Sequence, residues 1–297
     1  MAERLYTALP ARGAIKVAGE DRVAFLQGLV SNDVAKASAS RAIYAALLTA
    51  QGRYLFDFFV IALGDALYLD AEASRIAELS RRLSIYKLRA QVTLSDASAR
   101  LAVAVAWGEG ARETLGLSGI GAAKEFAGGS AYADPRLDAL GMRFLAPRDA
   151  GFGAIAQAGF APGDAAAYDR HRLALGVPDG TRDLQVEKSL LLEAGFDELN
   201  GIDWQKGCYM GQELTARMKY RALVKKRLLP VTVTGTMPAP GTVVTLAGSE
   251  AGELHSGRDG RALALLRLDA VEAAANGAIL LAGNARVTPE KPGWMKI

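Results

Sequence analysis

Cys208 is the residue whose type and setting most clearly permit chemistry, and it lies in the segment KGCYMGQE between Lys206 and Glu213. Two glycines bracket the cysteine and its tyrosine neighbour, which predicts a tight backbone path that presents the thiol. Cations nearby in the sequence favour the thiolate, the form that attacks electrophiles and binds metals. A lone cysteine is more often a buried structural residue. The flanking glycines and cations favour a functional thiol here.

The count of one cysteine and two histidines limits what the chain can hold. No internal disulfide can form, and a self-contained iron–sulfur cluster normally needs about four thiolate ligands. With only His171 and His255 besides Cys208, the usual cysteine–histidine zinc site cannot be assembled. We therefore expect no stable metal of the protein's own, and we expect Cys208 to act alone or with a partner molecule.

Two carboxylates stand alone in apolar surroundings. Asp57 is the only charged residue of the strand-like run 54–63. It is either a satisfied strand acid or a carboxylate that lines a ligand cavity, and spacing alone favours the first reading. Glu193 lies within the run LLLEAG at 190–195. A carboxylate there could accept two parallel hydrogen bonds from an amino-pyrimidinone edge such as that of a pterin or guanine.

The positive charge of the chain is local. The formal net charge is +3, yet residues 206–227 carry seven cations against one acid, which makes that segment +6 and the remainder −3. Such a run is usually a solvated connection. The alternative is a surface that attracts a polyanionic ligand or RNA.

Hydrophobic patterning predicts an α+β protein with strands at 14–18, 42–48, 54–63, 66–70, 91–94 and 101–107, and helices that begin near Glu20, follow residue 70 and span 168–175. After Arg227 the pattern changes to short strands at 229–233, 243–246, 262–268 and 278–281 with glycine-rich turns, which is typical of a small barrel or sandwich. We place a domain boundary near Ala222, between an α+β body over 1–222 and a β-barrel domain over 223–297.

No apolar run approaches the ~20 residues that cross a bilayer, so we expect no membrane partner. The N-terminal segment MAERLYTALPARG lacks the apolar core of a signal peptide. These features lead us to expect a cytoplasmic protein.

The segment from Lys206 to Glu213 resembles the K-G-C-Y-x-G-Q-E signature of the YgfZ family, which includes a bacterial folate-binding protein and a mitochondrial iron–sulfur assembly factor. Other parts agree with the resemblance: FLQG at 25–28, SND at 31–33, LT at 48–49 with GR at 52–53, GVP at 176–178 and KRL at 226–228. The wider superfamily is that of the glycine-cleavage T-protein, an aminomethyltransferase that uses tetrahydrofolate. The resemblance implies a T-protein-like folate-binding body of two intertwined subdomains with a C-terminal β-barrel.

The resemblance also suggests site residues. Tyr44 and Asp57 are similar to a T-protein tyrosine and to the aspartate that faces the reactive end of folate, and Glu193 resembles the glutamate that binds the pterin edge. Three positions depart from the T-protein pattern: Phe56 replaces an acid, Gln212 replaces an arginine, and Cys208 is an addition. The resemblance thus implies folate binding, whereas the three departures argue against aminomethyl transfer of the T-protein type.

The leading hypothesis is a folate-dependent accessory protein for iron–sulfur cluster assembly or repair. Cys208 is the functional thiol, Tyr44, Asp57 and Glu193 contact tetrahydrofolate or a folate derivative, and the partners are iron–sulfur client or assembly proteins. The alternative is a tetrahydrofolate-dependent aminomethyltransferase or one-carbon transferase in which Asp57 is a general acid–base. A third reading is a partner of tRNA-modifying enzymes whose basic segment 206–227 contacts RNA.

Overall fold

A computed structural model describes residues 3–296 of the chain. Its contacts divide the chain into two compact units. The first unit comprises the residues up to Ala50 together with Leu55–Tyr168 and Leu199–Gln212. The second comprises Gln51–Tyr54, Asp169–Glu198 and the residues from Glu213 onward. The chain thus passes between the units several times, and the predicted domain boundary near Ala222 stays a prediction.

The elements are given in chain order. The first strands and helices are β1 (Leu5–Ala8), β2 (Arg12–Ala18), α1 (Arg22–Gln27), β3 (Ile43–Leu48), β4 (Tyr54–Leu63), β5 (Ala66–Glu72), α2 (Ile76–Lys87), β6 (Thr93–Asp96) and β7 (Leu101–Trp107). The middle of the chain forms β8 (Ala123–Phe126), β9 (Gly129–Ala133), β10 (Met142–Pro147), α3 (Gly151–Gln157), β11 (Ala161–Pro162), α4 (Ala165–Leu175) and α5 (Gln212–Tyr220). The last elements are β12 (Lys226–Thr234), β13 (Val243–Leu246), β14 (Ser249–Arg258), β15 (Arg261–Arg267), α6 (Leu268–Ala275), β16 (Leu280–Ala282) and β17 (Ala285–Pro289).

Single turns of 3₁₀ helix connect several of these elements. They lie at Val34–Lys36, Ala73–Arg75, Glu113–Leu115, Asp138–Leu140 and Gly180–Arg182.

The first unit contains two sheets. One has five strands in the order β3-β4-β5-β2-β6, and the other has six in the order β11-β1-β7-β10-β9-β8. Strand β3 is buried at every position, and β4 is buried over its first eight. A strand buried on both faces reads as a nearly continuous apolar run, which is why the period-2 alternation is absent from these two sequences. Tyr44 and Asp57 lie on these two strands.

The second unit contains a closed barrel in the order β12-β15-β14-β13-β16-β17. Its neighbouring strands all pair antiparallel, and the register shifts after Val244 and after Leu254. Closure leaves no unpaired edge strand. Valine, alanine and leucine side chains fill the interior of the barrel. The predicted fold class, α+β with a C-terminal β-barrel, is confirmed. Among residues 3–296, no helix is long and apolar enough to span a bilayer.

Candidate functional site

Tyr44 and Asp57 are brought together on the neighbouring strands β3 and β4. The Tyr44 hydroxyl donates a hydrogen bond of 2.9 Å to Asp57 Oδ2, and both side chains are buried. Burial, and next the negative charge of Asp57, raise the pKa of Tyr44 well above its usual 10.0. The tyrosine therefore stays protonated at neutral pH and holds the carboxylate in one orientation.

A buried arginine that the sequence did not single out lies beside this pair. The Arg136 guanidinium is 5.5 Å from the centroid of the Tyr44 ring and 4.9 Å from that of Phe59. Its Nε and Nη2 donate to the two Asp134 carboxylate oxygens at 3.0 and 2.8 Å. Burial alone would lower the pKa of Arg136, but Asp134 raises it. A fixed positive charge thus lies near the tyrosine.

Tyr44 also lines a pocket of about 230 Å³ within the first unit. The pocket carries charged and amide side chains, namely those of Asn32, Lys36, Arg41, Asn200 and Asp203. Asn32 Nδ2 donates to the backbone oxygens of Tyr44 and Asn200 at 2.7 and 2.8 Å, so it fixes the pocket wall. Small-molecule pockets usually measure about 300–1,000 Å³, so this one is small for a ligand site.

A second polar cluster in the first unit surrounds Asp70, whose carboxylate is hydrogen-bonded by its neighbours. Asp70 accepts hydrogen bonds from Arg12 Nε at 2.7 Å, from Arg143 Nη2 at 2.7 Å and from the Tyr132 hydroxyl at 3.2 Å. Burial alone would raise the pKa of Asp70, but the two arginines lower it. These partners join the five-stranded sheet to the six-stranded one, because Arg12 and Asp70 lie on β2 and β5 while Tyr132 and Arg143 lie on β9 and β10. The cluster is therefore structural.

Glu193 lies in the second unit and differs from these acids in having no partner. Among residues 3–296, its half-buried carboxylate has no hydrogen-bond or salt-bridge partner. Burial raises the pKa of Glu193 above its usual 4.5, and the charges of Lys226 and Arg53 offset only part of this effect. It lines a small cavity of about 10 Å³ with His255 and Asp183, enough for one water molecule. The carboxylate thus has free acceptor capacity, although the cavity in this form is too small for a pterin ring.

Cys208 is in the first unit, and its thiol is exposed and free. The flanking Gly207 and Gly211 have φ values of +90° and +80°, a region that favours glycine. The loop is held by a hydrogen bond from Met210 N to Gly28 O at 3.1 Å and by one from Tyr209 N to Gln212 Oε1 at 3.1 Å. The thiol therefore has the accessibility that reaction with a partner requires, and a buried structural role is excluded.

Lys206 is engaged with the backbone of the first unit. Its ammonium donates to the backbone oxygens of Gln27 and Val30 at 2.6 and 2.5 Å, and it lies 5.0 Å from the centroid of the Tyr209 ring. Burial lowers the pKa of Lys206 to about 8, against the opposing effect of Asp33 and Asp203. Lys206 thus anchors the cysteine loop to the end of α1.

The basic segment divides into two groups of cations. Lys206, Lys219 and Arg227 are engaged within the protein, the last two with Asp197 and Glu198. The other four side chains have no hydrogen-bond or salt-bridge partner in the described part of the chain: Arg217, Arg221, Lys225 and Lys226. No group of three or more potential metal ligands occurs within residues 3–296.

Comparisons with known proteins found one family model that matches the N-terminal part of the chain and another that matches the C-terminal part. Residues 10–119 match the family model described as "GCVT N-terminal domain", and residues 225–297 match "CAF17, C-terminal beta-barrel domain". The chain is 33% identical over 278 residues to the human mitochondrial iron–sulfur cluster assembly factor IBA57, a match that covers 87% of the chain and 76% of the relative. It is also 33% identical to the mouse factor, over 89% of the chain and 78% of the relative.

Among solved structures, the chain is similar to the glycine cleavage system aminomethyltransferase T from Bartonella henselae. The TM-score is 0.77 at 15% identity, and the match covers 99% of this chain and 86% of the other. An identity this low establishes the fold alone. The predicted T-protein-like fold is therefore confirmed.

These relatives refine one expectation and overturn another. The expected family is confirmed in part: the relatives found are IBA57 iron–sulfur cluster assembly factors, a family related to YgfZ and not YgfZ itself. The prediction of a cytoplasmic location is wrong, because these relatives are mitochondrial proteins. The reasoning failed because an N-terminus without the apolar core of a signal peptide argues only against secretion and does not distinguish the cytoplasm from an organelle.

Proposed function

The chain belongs to the family of IBA57 iron–sulfur cluster assembly factors, and we propose that it is a folate-binding accessory protein that supports iron–sulfur cluster assembly or repair. The observation that carries the proposal is the 33% identity over 87% of the chain and 76% of the human factor. Similarity of that extent includes the T-protein-like body and the barrel together. It therefore extends beyond one shared module.

Cys208 is the residue proposed to act on the cluster. Its thiol is exposed, and its loop is shaped by two glycines at positive φ. One thiolate cannot hold a cluster alone, and the described residues include no cluster of further ligands. The thiol must therefore act together with a partner protein that brings the remaining ligands or the cluster itself.

Folate is the proposed cofactor, and the chemistry of two features fits it. Tyr44 and Asp57 offer a fixed carboxylate near a pocket with amide and charged walls. Glu193 offers a carboxylate without a partner, which suits the two N–H donors of a pterin edge. When bound, tetrahydrofolate supplies nitrogens that carry one-carbon groups. These are separate candidate contacts.

Rescue of cells that lack their own IBA57 factor tests the proposed function. Expression of this chain, directed to the compartment of the missing factor, should restore the activity of several iron–sulfur enzymes while enzymes without clusters stay unchanged. Titration of the purified protein with tetrahydrofolate should show saturable binding. Absence of rescue by a stably folded, correctly located chain would contradict the assembly role. Absence of saturable binding would contradict the proposal that folate is the cofactor.

The transferase alternative rests on the fold alone. The aminomethyltransferase of similar structure shares 15% identity with the chain, which is too low to carry over its activity. An assay of aminomethyl transfer to tetrahydrofolate distinguishes the two functions. We expect no turnover above the uncatalysed rate. Turnover that Asp57→Asn abolishes would establish the transferase. A partnership with tRNA-modifying enzymes has no support among the relatives, whose names concern iron–sulfur cluster assembly.

A further inference from the structure

The C-terminal end of α2 carries two large aliphatic side chains in solvent. Ile85 is 62% exposed and Leu88 is 89% exposed. The inner face of the same helix is ordinary core, because Ile76, Leu79 and Leu83 are buried. The two exposed residues therefore take no part in packing the first unit, to which they belong.

The backbone at Leu88 adds a second anomaly. Its φ is 43° and its ψ is −109°, a combination that glycine adopts readily and that a bulky residue adopts at a cost. A leucine here thus places an apolar side chain in water on a strained backbone. The strained backbone does not help the fold, and the exposure of the side chain is accounted for if something outside the chain covers it.

Positive charge surrounds these residues. Arg81, Arg82, Lys87 and Arg89 have no hydrogen-bond or salt-bridge partner among residues 3–296. The sequence from 79 to 95 contains no acid at all. Of the acids on either side, Glu78 pairs with Arg75, and Asp96 accepts a hydrogen bond from the Ser98 amide. The four cations are therefore not neutralised from within their own segment.

We propose that this α2 tip, defined as residues 81–89, binds peripherally to an anionic lipid surface. Leu88 and Ile85 enter the boundary between headgroups and acyl chains, and the four cations contact the lipid phosphates. Clusters of this size beside an apolar helix face are typical of such binding. An anionic lipid surface is the occupant favoured by charge, because the segment carries four cations and the sequence from 79 to 95 contains no acid.

The expectation of no membrane partner rested on the absence of a run of ~20 apolar residues, which concerns spanning only. Peripheral contact needs no such run. The proposal also stands apart from the assembly role: either can fail while the other holds.

Flotation of the full chain with lipid vesicles tests the proposal. The protein should float with vesicles of phosphatidylcholine and phosphatidylglycerol, and it should stay in solution with phosphatidylcholine alone or in high salt. Loss of two cations in Lys87→Gln with Arg89→Gln should weaken binding about 25-fold, at about fivefold for each cation.

Leu88→Gly separates a binding role from a structural one. Glycine relieves the backbone strain, so the thermal midpoint should not fall, while vesicle binding should weaken about tenfold or more through the lost leucine. The matched control is Ile279→Ser, which removes an aliphatic residue that is 52% exposed in the second unit and should leave vesicle binding unchanged.

Three results would overturn the proposal: no flotation with either vesicle, equal flotation with both, or wild-type binding by Leu88→Gly. Should the tip variants leave flotation unchanged yet lose a co-purifying acidic protein, the surface is a protein interface instead.

Discussion

The polar cluster around Asp70 and the loop around Cys208 both belong to the first unit, and they differ in what their polar groups contact. Asp70 is buried and accepts hydrogen bonds from two arginines and a tyrosine. The Cys208 thiol is exposed and free. Buried charges must be paired, so the cluster stabilises the fold and has nothing left to offer a ligand. The thiol and the Glu193 carboxylate, which have no hydrogen-bond or salt-bridge partner among residues 3–296, are therefore the better candidates for contact with a ligand or partner.

Replacement of a buried charge should therefore have the largest effect on stability. Asp70→Ala leaves Arg12 and Arg143 without their carboxylate, and breaking a buried pair costs about 3–5 kcal/mol. Chemical denaturation should show a loss of this size. Asp65→Ala is the control, because Asp65 is exposed in the adjoining turn and should change the free energy of unfolding by less than about 0.5 kcal/mol. Equal effects would show that the cluster is not structural.

Removal of the hydrogen bond between Tyr44 and Asp57 should lower the free energy of unfolding by a smaller amount. Tyr44→Phe removes the donor 2.9 Å from Asp57 Oδ2, and a buried acceptor that loses its donor costs about 1–3 kcal/mol. Tyr68→Phe is the same chemical change on β5, where the hydroxyl has no hydrogen-bond partner among the described residues. The difference between the two variants measures the hydrogen bond. If both behave alike, Tyr44 does not orient Asp57.

Replacement of Glu193 should stabilise the fold, in contrast to the two replacements above. The folded state raises the pKa of this carboxyl above 4.5, so the stability that it contributes is complete below the unfolded pKa and is lost as the pH rises through the folded pKa. At neutral pH the carboxylate opposes folding. Glu193→Gln should therefore increase the free energy of unfolding at pH 7, and the difference should shrink below about pH 4.5.

The same variant should weaken the binding of tetrahydrofolate by about 1.5–3 kcal/mol, the range for charge-assisted hydrogen bonds. Glu187→Gln, an exposed change in the same unit, should alter neither quantity. Calorimetry that finds wild-type affinity in Glu193→Gln would remove Glu193 from the folate site. A variant that is less stable at pH 7 would show that the carboxylate has a partner after all.

Local elements of this fold were predictable from the sequence. The strand over residues 54–63, the strand over 101–107 and the end of α4 at Leu175 agree with the structure, because periodicity, length and glycine or proline punctuation are local signals. Helix α6 at Leu268–Ala275 was missed. Its alanines and valine follow a strand directly, and its N-cap residue is Arg267 instead of the serine, threonine, asparagine or aspartate that marks a helix start.

The partners of the site residues were less predictable. Asp70 and Arg143 are 73 residues apart in the sequence, and no local pattern encodes such a pair. Arg136 is 92 residues from Tyr44 in the sequence, and only the fold places its guanidinium near the tyrosine ring. Lys206 was expected to activate the thiol, and only the fold shows that two backbone oxygens hold its ammonium.

Cys208→Ala tests most directly whether the exposed thiol is required for the proposed support of iron–sulfur cluster assembly. The side chain is exposed, so the thermal midpoint and the affinity for tetrahydrofolate should stay close to those of the wild type. In cells that lack their own IBA57 factor, the variant should nevertheless fail to restore iron–sulfur enzyme activity, while Met210→Ala in the same loop should restore it. Full rescue by Cys208→Ala at equal expression would contradict the account, because the thiol would then be dispensable for the function proposed.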